Sequence, residues 1–120
     1  MITGQGGKFF SAGADLKLFA DGDKARAREL ARRFGEAFEA LRDFRGVSIA
    51  AINGYAMGGG LECALACDIR IAERQVQLAL PEAAVGLLPC AGGTQHLAWL
   101  VGEGWAKRRS EEHTSELQSR

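Results

Sequence analysis

The segment Gly58-Gly59-Gly60-Leu61-Glu62 joins a glycine cluster to a carboxylate in the first turn of the helix that the following residues favour. Glycine is costly to order, so three in a row between a strand and a helix indicate that another group approaches the backbone closely. The unpaired N–H groups and the helix dipole at such a turn favour negative charge. The segment therefore predicts either an anion site or a close packing contact.

The spacing of the glycines and the position of Glu62 narrow the kind of anion. The segment has neither the Gly-x-Gly-x-x-Gly spacing of dinucleotide-binding turns nor the Gly-Lys-Ser/Thr end of ATP-binding loops. A carboxylate in the first turn would also repel a bound phosphate. These features favour an oxyanion that develops during a reaction, beside a carboxylate acid or base. For this segment alone, a structural role in helix packing and capping remains the alternative.

Three other segments carry residues suited to the same chemistry. Ser11-Ala12-Gly13-Ala14 is a second small-residue turn that can present a backbone N–H, and Pro81-Glu82 places a second carboxylate at a predicted strand end. Gly92-Gly93-Thr94 predicts a further tight turn. Two oxyanion donors and two carboxylates are the groups that acid–base chemistry next to a carbonyl requires.

Four motifs in this order resemble those of the enoyl-CoA hydratase/isomerase (crotonase) family, which handles CoA thioesters. They span residues 10–17, 51–62, 67–72 and 81–95, and the resemblance covers about residues 2–107. It implies an α/β fold, a crotonase-like spiral of ββα units, truncated at both ends. It also implies an oxyanion hole with N–H donors at Ala14 and Gly59. The two catalytic glutamates of the hydratases correspond to Glu62 and Glu82.

The reaction implied by the resemblance is hydration of the 2,3-double bond of a 2-trans-enoyl-CoA, as in fatty-acid β-oxidation. Glu62 would deprotonate the water that attacks C3, and Glu82 would deliver a proton to C2. The implied substrate-binding residues are Ala12, Ala14, Asp15, Leu16, Lys17 and Gly59. No metal and no separate cofactor are expected, since coenzyme A is part of the substrate. For Lys17, a contact with CoA phosphates and a solvated surface charge are both open.

Other members of the same family suggest alternatives to hydration. An enoyl-CoA delta-isomerase needs the oxyanion hole but usually one carboxylate, so the pair of glutamates favours hydration. A non-catalytic relative that binds acyl-CoA or RNA, or an inactive fragment, is a further alternative. The resemblance also implies that the parent protein assembles as a homotrimer or a dimer of trimers.

Hydrophobic periodicity predicts the elements that carry these residues. Apolar residues recur every three or four positions after Asp23 and predict a helix of about twenty residues that Gly46 ends. The stripe consists of Ala27, Leu30, Ala31, Phe34, Ala37, Phe38, Leu41 and Phe44. Short apolar or alternating runs predict strands over residues 47–53, 68–72 and 76–80, and a short helix over about residues 59–66. Strands that alternate with helices favour an α/β fold with crossover connections.

Composition excludes several classes of partner. The 120 residues carry 15 basic and 15 acidic side chains, a net charge of zero that argues against nucleic acid or an anionic membrane. No apolar run approaches the ~20 residues that span a bilayer, and the first residues lack the features of a secretion signal. We therefore expect a cytoplasmic protein whose three cysteines are free thiols. A zinc site is the weaker alternative, because neither histidine lies at finger-like spacing from them.

The last residues differ in composition from the rest of the chain. Residues 108–120 are polar, without an amphipathic stripe, and residues 109–119 resemble a translated sequencing-library adapter. We therefore expect two parts. Residues 1–107 form a partial crotonase-fold catalytic core, and residues 108–120 form a non-native polar tail, whose His113 has no part in function.

Overall fold

The computed structural model describes residues 1–89 and 91–110, and in this part of the chain six strands form two parallel three-stranded sheets. The strands are β1 (Ile2–Thr3), β2 (Phe9–Ser11), β3 (Ile49–Ile52), β4 (Tyr55–Met57), β5 (Ile69–Ala72) and β6 (Leu78–Ala79). One sheet has the order β1-β3-β5 and the other β2-β4-β6. Each winding of the chain therefore adds one strand to each sheet, which is the predicted α/β spiral.

Helices connect successive windings, because parallel strands can be joined only by crossovers. The helices are α1 (Lys24–Arg42), α2 (Gly59–Ala66), α3 (Gly93–Val101) and α4 (Glu103–Ser110), and short 3-10 turns cover Leu16–Phe19 and Pro81–Val85. Helix α1 leads from β2 to β3, and α2 leads from β4 to β5. Each strand pair followed by a helix is one ββα unit.

Helix α1 begins as its sequence predicts. The Asp23 side chain accepts hydrogen bonds from the N–H groups of Ala25 and Arg26, at 3.0 and 3.1 Å, and so caps the first turn. On the outer face, the Arg32 and Arg33 guanidiniums hold the pKa of Glu29 at about 2. These exposed ion pairs stabilise the helix only slightly.

Helix α2 is largely buried and contacts β2 and β4 of the second sheet and the helices α1 and α3. Its buried residues are Gly60, Leu61, Glu62, Ala64, Leu65 and Ala66. A Cβ at Gly60 would lie 2.2 Å from the carbonyl oxygen of Ser11, so only glycine allows α2 to pack this closely on β2. The packing role considered for the triglycine thus applies to its third member.

Side-chain hydrogen bonds fix the two ends of β3. The Ser48 hydroxyl and N–H both donate to Asp68, at 2.9 and 2.8 Å, which ties the start of β3 to the start of β5. At the other end, the Asn53 amide donates to the carbonyls of Gly4 and Gly6, at 3.0 and 2.8 Å. These contacts hold the first sheet in register beneath the helices.

The predicted elements differ from the structure at several places. Helix α1 ends at Arg42, and Phe44, predicted to close its stripe, is 59% exposed. The strands predicted over residues 47–53 and 76–80 are shorter. Strand β4, which the sequence did not predict, separates β3 from the triglycine. The chain changes sheets at Gly54, where a Cβ would lie 2.3 Å from the Lys8 carbonyl oxygen.

Helical structure continues further toward the C-terminus than the sequence predicted. Helix α4 continues through Ser110, so the first three residues of the predicted tail are helical. Residues 111–120, with His113, lie outside the described residues, as does Cys90, and the origin of the tail stays a prediction. Within the described part, no helix has the length and apolar character needed to cross a bilayer. Cys63 and Cys67 are free thiols.

Candidate active site

The N-terminus of α2 meets the turn that follows β2. Gly58 precedes the helix with φ 55°, a conformation that favours glycine, and its N–H donates to the Ala79 carbonyl at 2.9 Å. The N–H of Gly59, the first helical residue, has no partner within the helix. A Cβ at Gly59 would lie 3.7 Å from the Ala14 nitrogen. The two backbone groups predicted to form an oxyanion hole are therefore neighbours.

A second glycine lets these turns approach each other. Gly13 has φ 97°, and a Cβ there would lie 2.9 Å from the Met57 carbonyl oxygen and 3.1 Å from the Gly59 nitrogen. Any other residue at position 13 would be strained and crowded. The Gly13 conformation thus brings the Ala14 N–H beside the start of α2.

Glu62 lies one turn into α2 and is 5% exposed. Its Oε2 accepts hydrogen bonds from the N–H groups of Ala91 and Gly93, each at 2.8 Å. Burial raises the pKa of Glu62, and these two hydrogen bonds partly oppose the shift because they stabilise the carboxylate. The side chain is therefore fixed through one oxygen.

Glu82 lies on the Pro81–Val85 turn and has a different environment. Its Oε2 is buried and has no hydrogen-bond partner among the described residues. Its Oε1 would lie 3.0 Å from a Cβ at Gly58, so the glycine gives this carboxylate room beside the N-terminus of α2. Burial raises the pKa of Glu82, its own backbone N–H partly opposes this shift, and the Glu62 charge adds to it. This environment stabilises the protonated form of Glu82 relative to that of a carboxyl in water.

The two glutamates and the two turns line one cavity of about 240 Å³. The lining residues from the two turns, with the two glutamates, are Ala12, Gly13, Ala14, Gly58, Gly59, Glu62 and Glu82. The remaining wall is apolar and is formed by Leu16, Phe19, Phe34, Phe38, Pro81, Ala84, Leu87, Leu88 and Ala91. A cavity of this kind can hold an apolar chain and present a carbonyl to backbone donors and carboxyl groups.

Two predicted substrate-binding residues lie outside this cavity lining. The Asp15 carboxylate accepts a hydrogen bond from the Lys17 N–H at 3.0 Å and caps the Leu16–Phe19 turn. Both side chains are exposed. Asp15 thus shapes the turn that carries Ala14, and a contact between Lys17 and the substrate stays a prediction.

The sequence did not predict several residues of the site. Phe34 and Phe38 belong to the α1 stripe, whose periodicity shows that one face is covered but not that it faces a cavity. The N–H groups of Ala91 and Gly93 carry no side-chain signal; the Gly92-Gly93-Thr94 turn was the only indication. Within residues 1–89 and 91–110, no three His, Cys, Asp or Glu side chains gather in a way that could hold a metal ion.

A family model described as enoyl-CoA hydratase/isomerase matches residues 1–110. The chain belongs to this family. Among curated relatives, it is 42% identical over 108 residues to a crotonyl-CoA hydratase of Syntrophomonas wolfei subsp. wolfei, a match that covers 90% of this chain and 42% of the relative. The family resemblance inferred from the motifs is confirmed.

Solved structures support the same fold. DspI of Pseudomonas aeruginosa is 90% identical with a TM-score of 0.88, over 91% of this chain and 45% of that one. An enoyl-CoA hydratase from Bacillus anthracis is 40% identical with a TM-score of 0.83, over 95% of this chain and 47% of that one. The chain thus has the fold of this enzyme family, and it spans less than half the length of these relatives.

Proposed function

We propose that the protein that carries this chain is an enoyl-CoA hydratase, which adds water across the 2,3-double bond of a 2-trans-enoyl-CoA. The observation that supports this most is the meeting of two carboxyl groups and two backbone turns in one cavity with an apolar wall. Hydration of a conjugated thioester needs a base that activates water at C3 and an acid that protonates C2. Relatives with hydratase names agree with this assignment.

The backbone turns would stabilise charge on the thioester oxygen. When water attacks C3, the electron pair of the double bond moves toward C2 and the carbonyl, and negative charge develops on that oxygen. The N–H groups of Ala14 and Gly59 would donate to it, and the positive end of the α2 dipole would add to their effect. Because both donors are backbone groups on packed turns, they need little reorganisation during the reaction.

The two carboxyl environments assign the acid and the base. Glu62 accepts two N–H hydrogen bonds, so its ionised form is the better stabilised of the two. Glu82 has a buried oxygen without a described partner and faces the Glu62 charge, so it is the group that keeps its proton. Glu62 would therefore take the proton of water as oxygen bonds to C3, and Glu82 would give its proton to C2. After the step Glu62 is protonated and Glu82 ionised, and a proton must return before the next turnover.

The first test replaces each glutamate by its amide in the full-length protein. Glu62→Gln and Glu82→Gln should each lower the kcat for hydration of a short 2-enoyl-CoA by ~10²–10⁴, because positioned acid and base groups contribute about that much. Loss of the conjugated enoyl thioester absorbance measures the rate, and binding of a saturated acyl-CoA should change little. Glu73→Gln, at an exposed carboxylate outside the cavity, is the matched control.

The isomerase alternative makes a different prediction. An isomerase would convert 3-enoyl-CoA to 2-enoyl-CoA without forming 3-hydroxyacyl-CoA, and would tolerate the loss of one glutamate. Full activity in a folded Glu82→Gln variant, or isomerisation without hydration, would contradict the proposal.

As part of the same proposal, we place the protein in the cytoplasm as a homotrimer or a dimer of trimers, which acts without metal or nucleic acid.

A further inference from the structure

We infer that the turn at residues 91–93 positions Glu62. The N–H groups of this turn bind one carboxylate oxygen and leave the other free for the reacting water. The part that concerns water rests on the proposed function. The hydrogen bonds themselves do not. Gly93 is the positioning residue of this turn, since it acts on substrate only through Glu62.

The hydrogen bonds come from backbone N–H groups at the start of α3 and just before it. Gly93 is the first residue of α3, and the first N–H groups of a helix have no partner within it. The N–H groups of Ala91 and Gly93 both donate to Glu62 Oε2 at 2.8 Å. The carboxylate therefore also lies at the positive end of the α3 dipole, which favours its ionised form.

Glycine at position 93 is matched to this one side chain. A Cβ at Gly93 would have Glu62 Cγ and Oε2 at 3.0 Å and Cδ at 3.2 Å as its three nearest neighbours. Alanine would therefore displace the Glu62 side chain rather than the sheet or another helix. Gly92, at φ 96°, provides the left-handed residue that aims the N–H groups of the turn.

The turn also makes the two glutamates chemically different. Glu62 is bound through Oε2, whereas no described residue donates to Glu82 Oε2. Glu82 is the titratable group that shares the cavity with Glu62 in the described structure. On the other side of Gly92, His96 and Arg42 contact each other in a separate surface pocket. The difference between base and acid thus depends on how α3 is placed against α2.

The first experiment compares Gly93→Ala with Gly104→Ala in the full-length protein. A Cβ at Gly104 would meet nothing within 4 Å, so that variant makes the same chemical change without a contact. Gly93→Ala should lower kcat about 10²-fold, as expected for a misplaced catalytic group, with KM nearly unchanged. Loss of the hydrogen bonds raises the pKa of Glu62, so the acid limb of the kcat profile should move upward by about one pH unit. An unchanged kcat and pH profile in a folded Gly93→Ala protein would overturn the inference.

A second measurement needs neither substrate nor a crowded variant. The amide ¹H resonances of Ala91 and Gly93 should shift with pH at one common midpoint, that of Glu62, and should lose this titration in Glu62→Gln. Amides that titrate equally in both proteins would overturn the inference. If the amides follow Glu62 but no enoyl-CoA is hydrated, the proposed function fails and the positioning role stands. If hydration is normal and the amides ignore Glu62, only the positioning role fails.

Discussion

Helices α1 and α2 both close a ββα unit and both line the candidate cavity, but they differ in how far their residues are buried. Six of the eight residues of α2 are buried, whereas no residue of α1 is buried in the described structure. Helix α2 supplies the Gly59 N–H and the Glu62 carboxylate, and α1 supplies only the rings of Phe34 and Phe38. Two of the four groups proposed to react thus lie on a helix that is mostly buried, and part of the apolar wall lies on a helix with no buried residue.

This difference has a physical reason. Acid–base and oxyanion groups must be held within about 0.5 Å of their working positions, which requires neighbours that cannot move. An apolar wall has a less strict requirement, since its contacts are non-directional and each atom pair contributes only about 0.1–0.2 kcal/mol, whereas a misplaced catalytic group lowers the rate directly. Substitutions in α2 should therefore strongly reduce turnover or stability, and substitutions in α1 should change substrate preference or stability by small amounts.

Among the substitutions that test this difference between the helices, the largest effect is expected at Gly59. In Gly59→Ala the new Cβ would lie 3.7 Å from the Ala14 nitrogen, an ordinary contact for the protein. It would, however, occupy space that a thioester oxygen needs in order to reach both N–H groups. Loss of an oxyanion donor costs ~10²–10³ in rate, so kcat for enoyl-CoA hydration should fall by about that factor. Circular dichroism should be unchanged, and near-normal turnover would show that the triglycine serves packing alone.

The next effect is on folding, at Gly60. A Cβ there would lie 2.2 Å from the Ser11 carbonyl oxygen and 2.8 Å from its carbonyl carbon, which are backbone atoms that cannot rotate away. We expect Gly60→Ala to lower the free energy of unfolding by about 3 kcal/mol, at the upper end for overpacked sites. Thermal unfolding measures the loss. A variant as stable as the parent would mean that α2 can shift on β2 and is held less tightly than its burial indicates.

A smaller effect, on specificity, is expected in α1. Phe38→Ala enlarges the cavity at its apolar wall. The ratio of kcat/KM for a longer to a shorter 2-enoyl-CoA should therefore rise about tenfold, which is the effect of a methylene or more in an apolar pocket. Phe44→Ala is the matched control, because Phe44 is 59% exposed and follows the end of α1. An equal change of the ratio in both variants would assign the effect to α1 stability instead of the cavity.

The same two helices show how far the sequence could predict the structure. The bounds of α2 follow from a glycine cluster and a run of helix formers, and α1 follows from its stripe and the Asp23 cap. Strand β4 was missed because three residues of ordinary composition between Gly54 and Gly58 carry no period. Pairing with β2 and β6 forms that strand, and such long-range pairing cannot be predicted from local sequence.

The candidate site divides in a similar way. Its carboxylates and glycines could be predicted, because their side chains, or the lack of one, are visible in the sequence. The hydrogen bonds from residues 91 and 93 to Glu62 could not, because every residue except proline has a backbone N–H. The role of Phe34 and Phe38 could not be predicted either, since an apolar stripe looks the same whether it covers a core or a cavity.

The smallest effect, and the one with opposite sign, is expected at Gly35 in the middle of α1. A Cβ there would meet no heavy atom within 4 Å outside its own helix backbone. Glycine inside a helix costs about 0.5–1 kcal/mol relative to alanine because it loses more backbone freedom. Gly35→Ala should therefore raise the free energy of unfolding by that amount, seen as a higher urea midpoint at an unchanged m-value. Hydration should stay at the parent rate, since Gly35 does not line the cavity. A loss of stability would show that α1 is covered on this face too, and the contrast with α2 would then be wrong.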